Sequence, residues 1–370
     1  MSRSRLAVLL LVVVAVAAAG FGVWWWFFCA PPVENVTLTA VAFTDLPGWQ
    51  ASDLSGALAA FRRSCAGHIA GEWRSACDTA SGTRDARSFF EGNFTPYAIG
   101  PSGGLVTGYY EPLLNGSRTR HGPYQTPVYG LPGDLVSIDL GQFRPEWRGE
   151  TISGRLVGHS VAPYPARAEI DARPPAKTRV LFYGDDPVSV FYLHIQGSGR
   201  VWLDDGSMLR VTYAGQNGHP YTAIGRVLIA RGALSRETVS MQSIRAWLMA
   251  HPGEARPVME SDASFVFFKE APIGDAALGP EGSAGVVLTP RASIAVDPKF
   301  HPFGTPVFIA GGGIANLFIA QDTGGAIKGA VRADIFFGFG AGAESAAGTM
   351  KARAYFYVLY PKGAAPKLPT

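Results

Sequence analysis

The chain has 370 residues, of which 47% are hydrophobic and only 16% are charged, and its formal net charge is +3. No run of lysine and arginine is long enough to follow a phosphate backbone, so the composition argues against nucleic acid as a partner. Forty-five glycines and 27 prolines divide the chain into short segments, and this pattern favours a mainly β fold with many turns.

The first 32 residues resemble an export segment. Arg3 and Arg5 precede an uncharged run from Leu6 to Ala30, which as a helix would be roughly 37 Å long and would span a bilayer. We predict an uncleaved membrane anchor that keeps the arginines in the cytoplasm and exports the body to the periplasmic face of the cell envelope. A signal peptide cleaved near residues 17–20 is the alternative.

The three cysteines raise separate questions. Cys29 ends the apolar run, but the bulky Phe28 before it argues against lipidation, for which a small residue is the norm. Cys65 and Cys77 lie in the exported body, where we predict a disulfide between them; two buried free thiols are the alternative. No CxxC motif or Cys/His cluster indicates a metal site, and no cofactor is expected.

Strand and helix signals follow in chain order. Residues 36–43 favour a strand, Ser52 or Asp53 can cap a helix, and a second helix is predicted over 79–90. Short strands then dominate, at 105–110, 136–140, 155–161, 179–183, 190–196, 201–203 and 208–213. Helices are predicted over 221–231 and 240–250. The last third returns to strands, at 265–268, 285–289, 293–296, 307–310, 318–321, 333–337 and 353–359.

Two aspartates stand out in the last third. Asp322 and Asp334 flank a glycine-rich turn and are separated by twelve residues, which is enough chain to bring both carboxylates to one surface. Carboxylates near glycines and aromatic residues, in a chain poor in charge, suggest general acid–base chemistry on a neutral substrate. For Asp322 a purely structural role in a turn is equally open. Asp297, which ends a strand before a proline turn, adds a third carboxylate.

Two short motifs are misleading. Gly197-Ser198-Gly199 lacks the glycine that a nucleophilic serine requires two positions earlier, because Gln196 stands there. Asp322-Thr-Gly matches the aspartic-protease triplet, but those enzymes need two such triplets and the chain has one. The serine motif is therefore better explained as a tight turn that lets a ligand approach the backbone.

Amide and aromatic side chains point to a glycan. They occur in Gln196–Gly199, in Asn217-Gly-His219 and in Tyr109-Tyr110. Amides bond to sugar hydroxyl and N-acetyl groups, and aromatic faces stack on sugar rings. Turn formation and core packing are the alternative roles for these residues, and each motif by itself is weak.

In combination, the motifs resemble the membrane-bound lytic murein transglycosylase A (MltA) family. The resemblance is carried in order by TGYYEP at 107–112, FYLHIQGSGRV at 191–201, YAGQNGHPY at 213–221, FVFF at 265–268, IAVD at 294–297, QDTGGAIKG at 321–329 and RAD at 332–334. The last three stretches look like a 3D domain, named for three aspartates. The chain departs from the family at Asp262, where an asparagine is usual.

The resemblance implies a mainly β, two-domain fold with a few helices. A double-ψ β-barrel would be built from an N-terminal segment and the C-terminal third, with a second β-barrel domain inserted between them. The expected boundaries are an anchor at 1–32, barrel parts at 33–111 and 239–361, the insert at 112–238 and a tail at 362–370.

The implied substrate is the glycan strand of peptidoglycan. A family member would cleave the β-1,4 bond from N-acetylmuramic acid to N-acetylglucosamine without water, leaving a 1,6-anhydro end. Asp334 would serve as acid and then base, with Asp322 and Asp297 in support. The residues expected to bind substrate are Thr107, Tyr110, Gln196, Gly197, Ser198, Asn217 and Lys328. A hydrolase that uses Asp322 and Asp334 as a pair, and a wall-binding protein without activity, are the alternatives.

Overall fold

A computed structural model describes residues 36–67, 69, 71–147, 150–175, 177–364 and 366. The predicted anchor over residues 1–32 lies outside these residues. Within the part of the chain that is described, no helix has the length and apolar character needed to cross a membrane.

The described residues form a mainly β fold, as expected. Its strands are β1 Leu38–Ala40, β2 Phe94–Ile99, β3 Gly104–Glu111, β4 Leu113–Ser117, β5 Thr126–Tyr129, β6 Leu135–Asp139, β7 Thr151–Val157, β8 Ser160–Pro163, β9 Val180–Gly184, β10 Ser198–Leu203, β11 Met208–Gln216, β12 Val266–Ala271, β13 Ser293–Ala295, β14 Pro306–Gly311, β15 Ile314–Asp322, β16 Arg332–Phe339 and β17 Lys351–Pro361. Its α-helices are α1 Ser55–Ala66, α2 Gly71–Gly82, α3 Ala86–Asn93, α4 Arg167–Ala172, α5 Pro187–Gln196, α6 Ile224–Ala230, α7 Met241–Ala250, α8 Pro252–Glu260 and α9 Ala341–Thr349.

The larger sheet joins the N-terminal part of the chain to the C-terminal third. Its strand order is β1-β2-β17-β14-β15-β13-β16-β3, and β3 also pairs with β17. Strand β3 runs parallel to β16, which runs antiparallel to β13. Strands β13 to β16 are almost entirely buried over their central residues, as expected for short apolar strands covered by α1 and α9.

Two smaller sheets come from the middle of the chain. One has six strands in the order β12-β11-β10-β4-β9-β5, and the other has three in the order β6-β7-β8. The core of the six-stranded sheet contains Leu114, Phe182, Leu193, Val211 and Phe268. Because β3 and β4 are consecutive in the chain, this sheet begins directly beside the end of β3.

The sequence prediction of a strand over 190–196 is wrong, because this segment belongs to α5. Valine and aromatic residues favour strands, but Asp186 caps a helix here by accepting from the backbone N–H groups of Val188 and Ser189 at 3.0 and 3.1 Å. Gly197 ends the helix with a φ of 76°, a left-handed conformation that favours glycine. The helix is apolar nearly all round because it is buried, so its sequence lacks a helical period.

The strand predicted over 285–289 is also wrong, because this segment forms turns with only an isolated bridge at Val287. Other elements were predicted closely or missed. Helix α7 begins after Ser240, whose hydroxyl accepts from the Ser243 N–H as an N-cap, and α6 lies within the predicted helix. The helix predicted over 79–90 is two helices, α2 and α3, separated by residues 83–85. Helix α9 was not predicted, although its alanine-rich sequence is typical of a helix. The predicted domain boundaries stay a prediction.

Cys65 of α1 and Cys77 of α2 form a disulfide in the structure. Replacing both with serine should lower the free energy of unfolding by about 2–3 kcal/mol, because the crosslink restricts the unfolded chain around a short loop. Urea unfolding of the variant and of the native protein measures this difference. Thiol counting on the denatured, unreduced protein is the control, and finding all three cysteines reactive would contradict the disulfide.

Candidate active site

Asp334 lies on β16 between two neighbouring strands. In the sheet, Asp334 pairs with Ala295 of β13 on one side and with Thr107 of β3 on the other. The Thr107 hydroxyl donates a hydrogen bond of 2.7 Å to Asp334 Oδ1. The Arg332 guanidinium donates to the Thr107 hydroxyl oxygen at 2.9 Å. The arginine therefore holds the threonine hydroxyl that contacts the carboxyl group.

Asp334 is half-buried, and its surroundings favour the neutral acid. Burial, with a smaller contribution from the negative charge of Asp322, raises the pKa of Asp334 to about 6. The Thr107 hydrogen bond and the charge of Arg332 act in the opposite direction but do not cancel the effect of burial. A substantial fraction of Asp334 therefore keeps its proton in mildly acidic solution, as a general acid requires.

Asp322 lies one strand beyond β13, where it also pairs with Ala295. The Cα atoms of Asp322 and Asp334 are thus two strand spacings apart, about 10 Å. Ser283 donates to Asp322 Oδ1 from its backbone N–H at 3.0 Å and its hydroxyl at 2.7 Å. The Tyr109 hydroxyl donates to Oδ2 at 2.9 Å. Asp322 is therefore a firmly held carboxylate.

Asp297 is buried and has structural contacts. Its Oδ1 accepts from the backbone N–H of Lys299 at 3.1 Å, and its Oδ2 accepts from that of Gly329 at 2.9 Å. These bonds fix the turn after β13 against the loop that joins β15 to β16. Asp297 thus holds the loop between the other two aspartates.

The turn after α5 lies against β3. Gln196 Oε1 accepts from the backbone N–H of Tyr110 at 3.0 Å, three residues from Thr107 in the chain. A Cβ atom at Gly197 would meet no heavy atom within 4 Å, so open space lies beside this backbone. Ser198 is buried at the start of β10. This bond thus joins the end of α5 to β3, the strand that carries Thr107.

Asn217 and Lys328, two of the expected substrate-binding residues, have contacts unlike those of Thr107 and Gln196. Asn217 is only 1% exposed; its amide nitrogen donates to two backbone carbonyls at 2.9 Å, and its oxygen accepts from the Phe265 N–H at 2.9 Å. These contacts are those of a structural residue. Lys328 is exposed, in the loop that Asp297 holds. The substrate contacts of both residues stay a prediction.

Ser283 and Arg332 were not identified from the sequence as functional residues. Ser283 lies in a turn outside every motif, so no local signal marks it. Arg332 belongs to the RAD stretch, but its contact with Thr107 joins residues 225 positions apart in the chain. Among the described residues, no group of three or more His, Cys, Asp or Glu side chains could hold a metal ion.

Comparison with known families gives two matches. Residues 105–269 match the "MltA specific insert domain", and residues 292–360 match the "3D domain". The second match contains all three aspartates, and the first contains Thr107 and the turn after α5.

Relatives agree with these matches. The membrane-bound lytic murein transglycosylase A of Escherichia coli K12 is 36% identical over 258 residues, which is 65% of this chain and 61% of the relative. The chain thus aligns with less than two thirds of that curated relative.

Solved structures extend the likeness. A membrane-bound lytic murein transglycosylase from Agrobacterium tumefaciens is 34% identical, with a TM-score of 0.79, and the match covers 88% of this chain and 98% of that one. E. coli MltA with bound chitohexaose is 28% identical, with a TM-score of 0.67, over 84% and 90% of the two chains. The chain therefore belongs to the membrane-bound lytic murein transglycosylase A family.

Proposed function

We propose that this protein is a lytic transglycosylase that cleaves peptidoglycan glycan strands between N-acetylmuramic acid and N-acetylglucosamine. The observation that carries the proposal is Asp334, a half-buried acid with a pKa of about 6, in the family's 3D domain. The E. coli relative with bound chitohexaose supports a glycan ligand of the same class.

In the proposed reaction Asp334 transfers a proton twice. The neutral acid donates its proton to the glycosidic oxygen, the bond from that oxygen to C1 breaks, and N-acetylglucosamine leaves as the alcohol. The 6-hydroxyl oxygen of the muramic acid then bonds to C1, and the Asp334 carboxylate accepts the proton of that hydroxyl. This step closes the 1,6-anhydro ring and restores the acid. Asp322, which Tyr109 and Ser283 hold in place, supports the acid, and Gln196, Gly197, Ser198 and Tyr110 line the approach of the glycan.

The contacts of Asp322 argue against a two-carboxylate hydrolase. Such an enzyme needs a second carboxylate that is free to activate water or attack C1. Both oxygens of Asp322 accept hydrogen bonds, from Ser283 and from Tyr109. Mass spectrometry of digested peptidoglycan tests the reaction type: we expect anhydro-muramic ends, and reducing ends in their place would overturn the transglycosylase proposal.

The pH dependence should follow the protonation of Asp334. Because the first step needs the neutral acid, kcat/KM should fall as the pH rises above about 6. In Thr107→Val the carboxylate loses the hydrogen bond that lowers this pKa, so the falling limb should move up by about one pH unit, equivalent to a charge-assisted bond of about 1.5 kcal/mol. Turbidity assays on murein from pH 4 to 8 measure both profiles. A limb that stays in place in the variant would contradict this assignment of Thr107.

The proposal extends to the architecture and location. The pairing of β3 with both β16 and β17 supports a double-ψ β-barrel built from both ends of the chain, with the insert at 112–238. The uncharged run over residues 6–30 supports an N-terminal anchor that keeps the body at the periplasmic face of the envelope. Extraction of membranes, followed by the N-terminal mass of the mature protein, tests the anchor against cleavage and lipidation.

A further inference from the structure

A cavity lies beside α5, which contributes several of its lining residues. It has a volume of about 870 Å³ and is formed by β5, β9, α4, α5, α7 and α8. None of Asp297, Asp322 and Asp334 lines it. Its walls are rich in aromatic, proline and aliphatic side chains, among them Tyr129 and Phe191. A volume of this size suits a small ligand or a short peptide.

His194 of α5 gives this cavity a hydrogen-bond donor. The side chain is 6% exposed and lines the cavity. Its Nδ1 accepts from the backbone N–H of Val266 at 3.2 Å, so in the neutral ring the proton is on Nε2. Burial lowers the pKa of His194 and keeps the ring neutral. Among the described residues Nε2 has no hydrogen-bond partner, which leaves its N–H available to a ligand.

Arg167 of α4 brings a positive charge to the same cavity. Its side chain is 5% exposed, and its guanidinium lies 4.9 Å from the Phe191 ring centre and 5.1 Å from that of Phe265. The Nε group donates to the Asp262 carbonyl at 3.0 Å and one terminal nitrogen donates to the Ser264 carbonyl at 2.5 Å. The other terminal nitrogen has no acceptor among the residues that the structure describes.

Among the described residues, none of the carboxylates near Arg167, which are those of Asp262, Asp171 and Glu260, accepts a hydrogen bond from its guanidinium. Asp262 Oδ2 lies 3.7 Å from the guanidinium, too far for a hydrogen bond. The other oxygen of Asp262 accepts from the Thr222 N–H at 2.9 Å, and burial raises the pKa of this carboxyl group. His194 contacts the same Phe265 ring as Arg167, and the centroids of the His194 and Phe265 rings are 4.3 Å apart. A ligand carboxylate could therefore accept hydrogen bonds from Arg167 and His194 together.

We infer that this cavity binds the C-terminal carboxylate of a short peptide with small apolar side chains. Arg167 and the Nε2–H of His194 bind the carboxylate, and a charge-assisted bond to a guanidinium is among the stronger hydrogen bonds in proteins. The apolar walls, among them Tyr129 and Phe191, contact its apolar side chains. Asp171, one helical turn after Arg167 on the cavity lining, accepts from peptide N–H groups, which a simple carboxylate lacks.

The source of such a peptide follows from the proposed function, on which this one step rests. Peptidoglycan carries short peptides with free carboxylates on its muramic acid residues. The cavity would then hold a stem peptide while a glycan strand lies at Asp334. Peptide binding itself does not depend on the cleavage reaction, so the two proposals can fail separately.

Calorimetric titration of the full-length protein in detergent with acetyl-D-Ala-D-Ala tests the inference. We expect saturable binding of the peptide. The same peptide with a C-terminal amide should bind at least tenfold more weakly, and so should propionate used in place of the peptide. No saturation up to 10 mM peptide, or equal binding of the amide, would overturn carboxylate recognition. If propionate bound as tightly as the peptide, the proposal of a peptide ligand would be overturned, and the cavity would be a site for free small carboxylates.

Two variants locate the binding. His194→Phe keeps an aromatic ring but removes the donor, and should weaken the peptide at least tenfold. Met249 also lines the cavity and is 62% exposed, so Met249→Trp narrows the cavity without disturbing the core. This variant should also weaken peptide binding at least tenfold, and it provides the test if His194→Phe does not fold. Unchanged binding in folded Met249→Trp would overturn the location. Asp334→Asn should bind the peptide like the native protein, even though cleavage is lost.

Discussion

Replacing Asp334 with asparagine should reduce murein cleavage by about 10²–10⁴-fold, the range expected for loss of a general acid–base residue. Asparagine keeps the size of the side chain and can still accept from the Thr107 hydroxyl, but it has no proton to give to the glycosidic oxygen. Release of soluble anhydro-muropeptides from purified sacculi measures the effect. Asp275→Asn, at an exposed position, is the matched control and should cleave at the native rate.

The same variant has a readout that does not depend on activity. Folded Asp334 keeps its proton up to about pH 6, whereas an unfolded aspartate loses it near pH 4. The folded state therefore binds more protons between these values, and the free energy of unfolding of the native protein falls as the pH rises through them. In Asp334→Asn this contribution should disappear.

If Asp334→Asn cleaved sacculi at more than a tenth of the native rate, Asp334 would not be the general acid and base of the mechanism.

Glu111 should have the largest effect on stability. It is completely buried at the end of β3 and binds two arginines of the six-stranded sheet, Arg200 at 2.8 Å and Arg210 at 2.6 Å. Glu111→Gln leaves both guanidinium groups buried without an anion, which should lower the free energy of unfolding by about 3–5 kcal/mol. The shift of the urea midpoint, followed by tryptophan fluorescence, measures this loss.

A surface glutamate provides the matched control for Glu111. Glu270 also contacts two arginines, Arg118 at 2.7 Å and Arg179 at 3.3 Å, but its side chain is 33% exposed and Arg179 is 74% exposed. Water solvates these charges, so Glu270→Gln should change the free energy of unfolding by no more than about 1 kcal/mol. Equal losses in the two variants would show that burial does not set the strength of the Glu111 contacts.

The two predictions have different origins in the sequence. Asp334 was identified from its place in a motif, since RAD follows the glycine-rich turn at the family's spacing. Glu111 lies in the TGYYEP motif and was not singled out, because its partners are 89 and 99 residues away. No local pattern indicates a contact over that distance. Helix α5 was missed for a related reason, since burial on nearly all sides removes the periodicity that identifies a helix.

The sequence by itself determined the mainly β class, the capped helix α7, the family and the position of the candidate acid. These features depend on short-range hydrogen bonds, on residue preferences and on ordered motifs, all of which are readable along the chain. The tertiary structure alone decided that the pKa of Asp334 is raised to about 6, that Asp322 is held by Ser283 and Tyr109, and that His194 lines a cavity without the three aspartates. The physical reason is that burial and hydrogen bonding set these properties, and the groups responsible, such as Thr107 at 227 residues from Asp334, come together only when the chain folds.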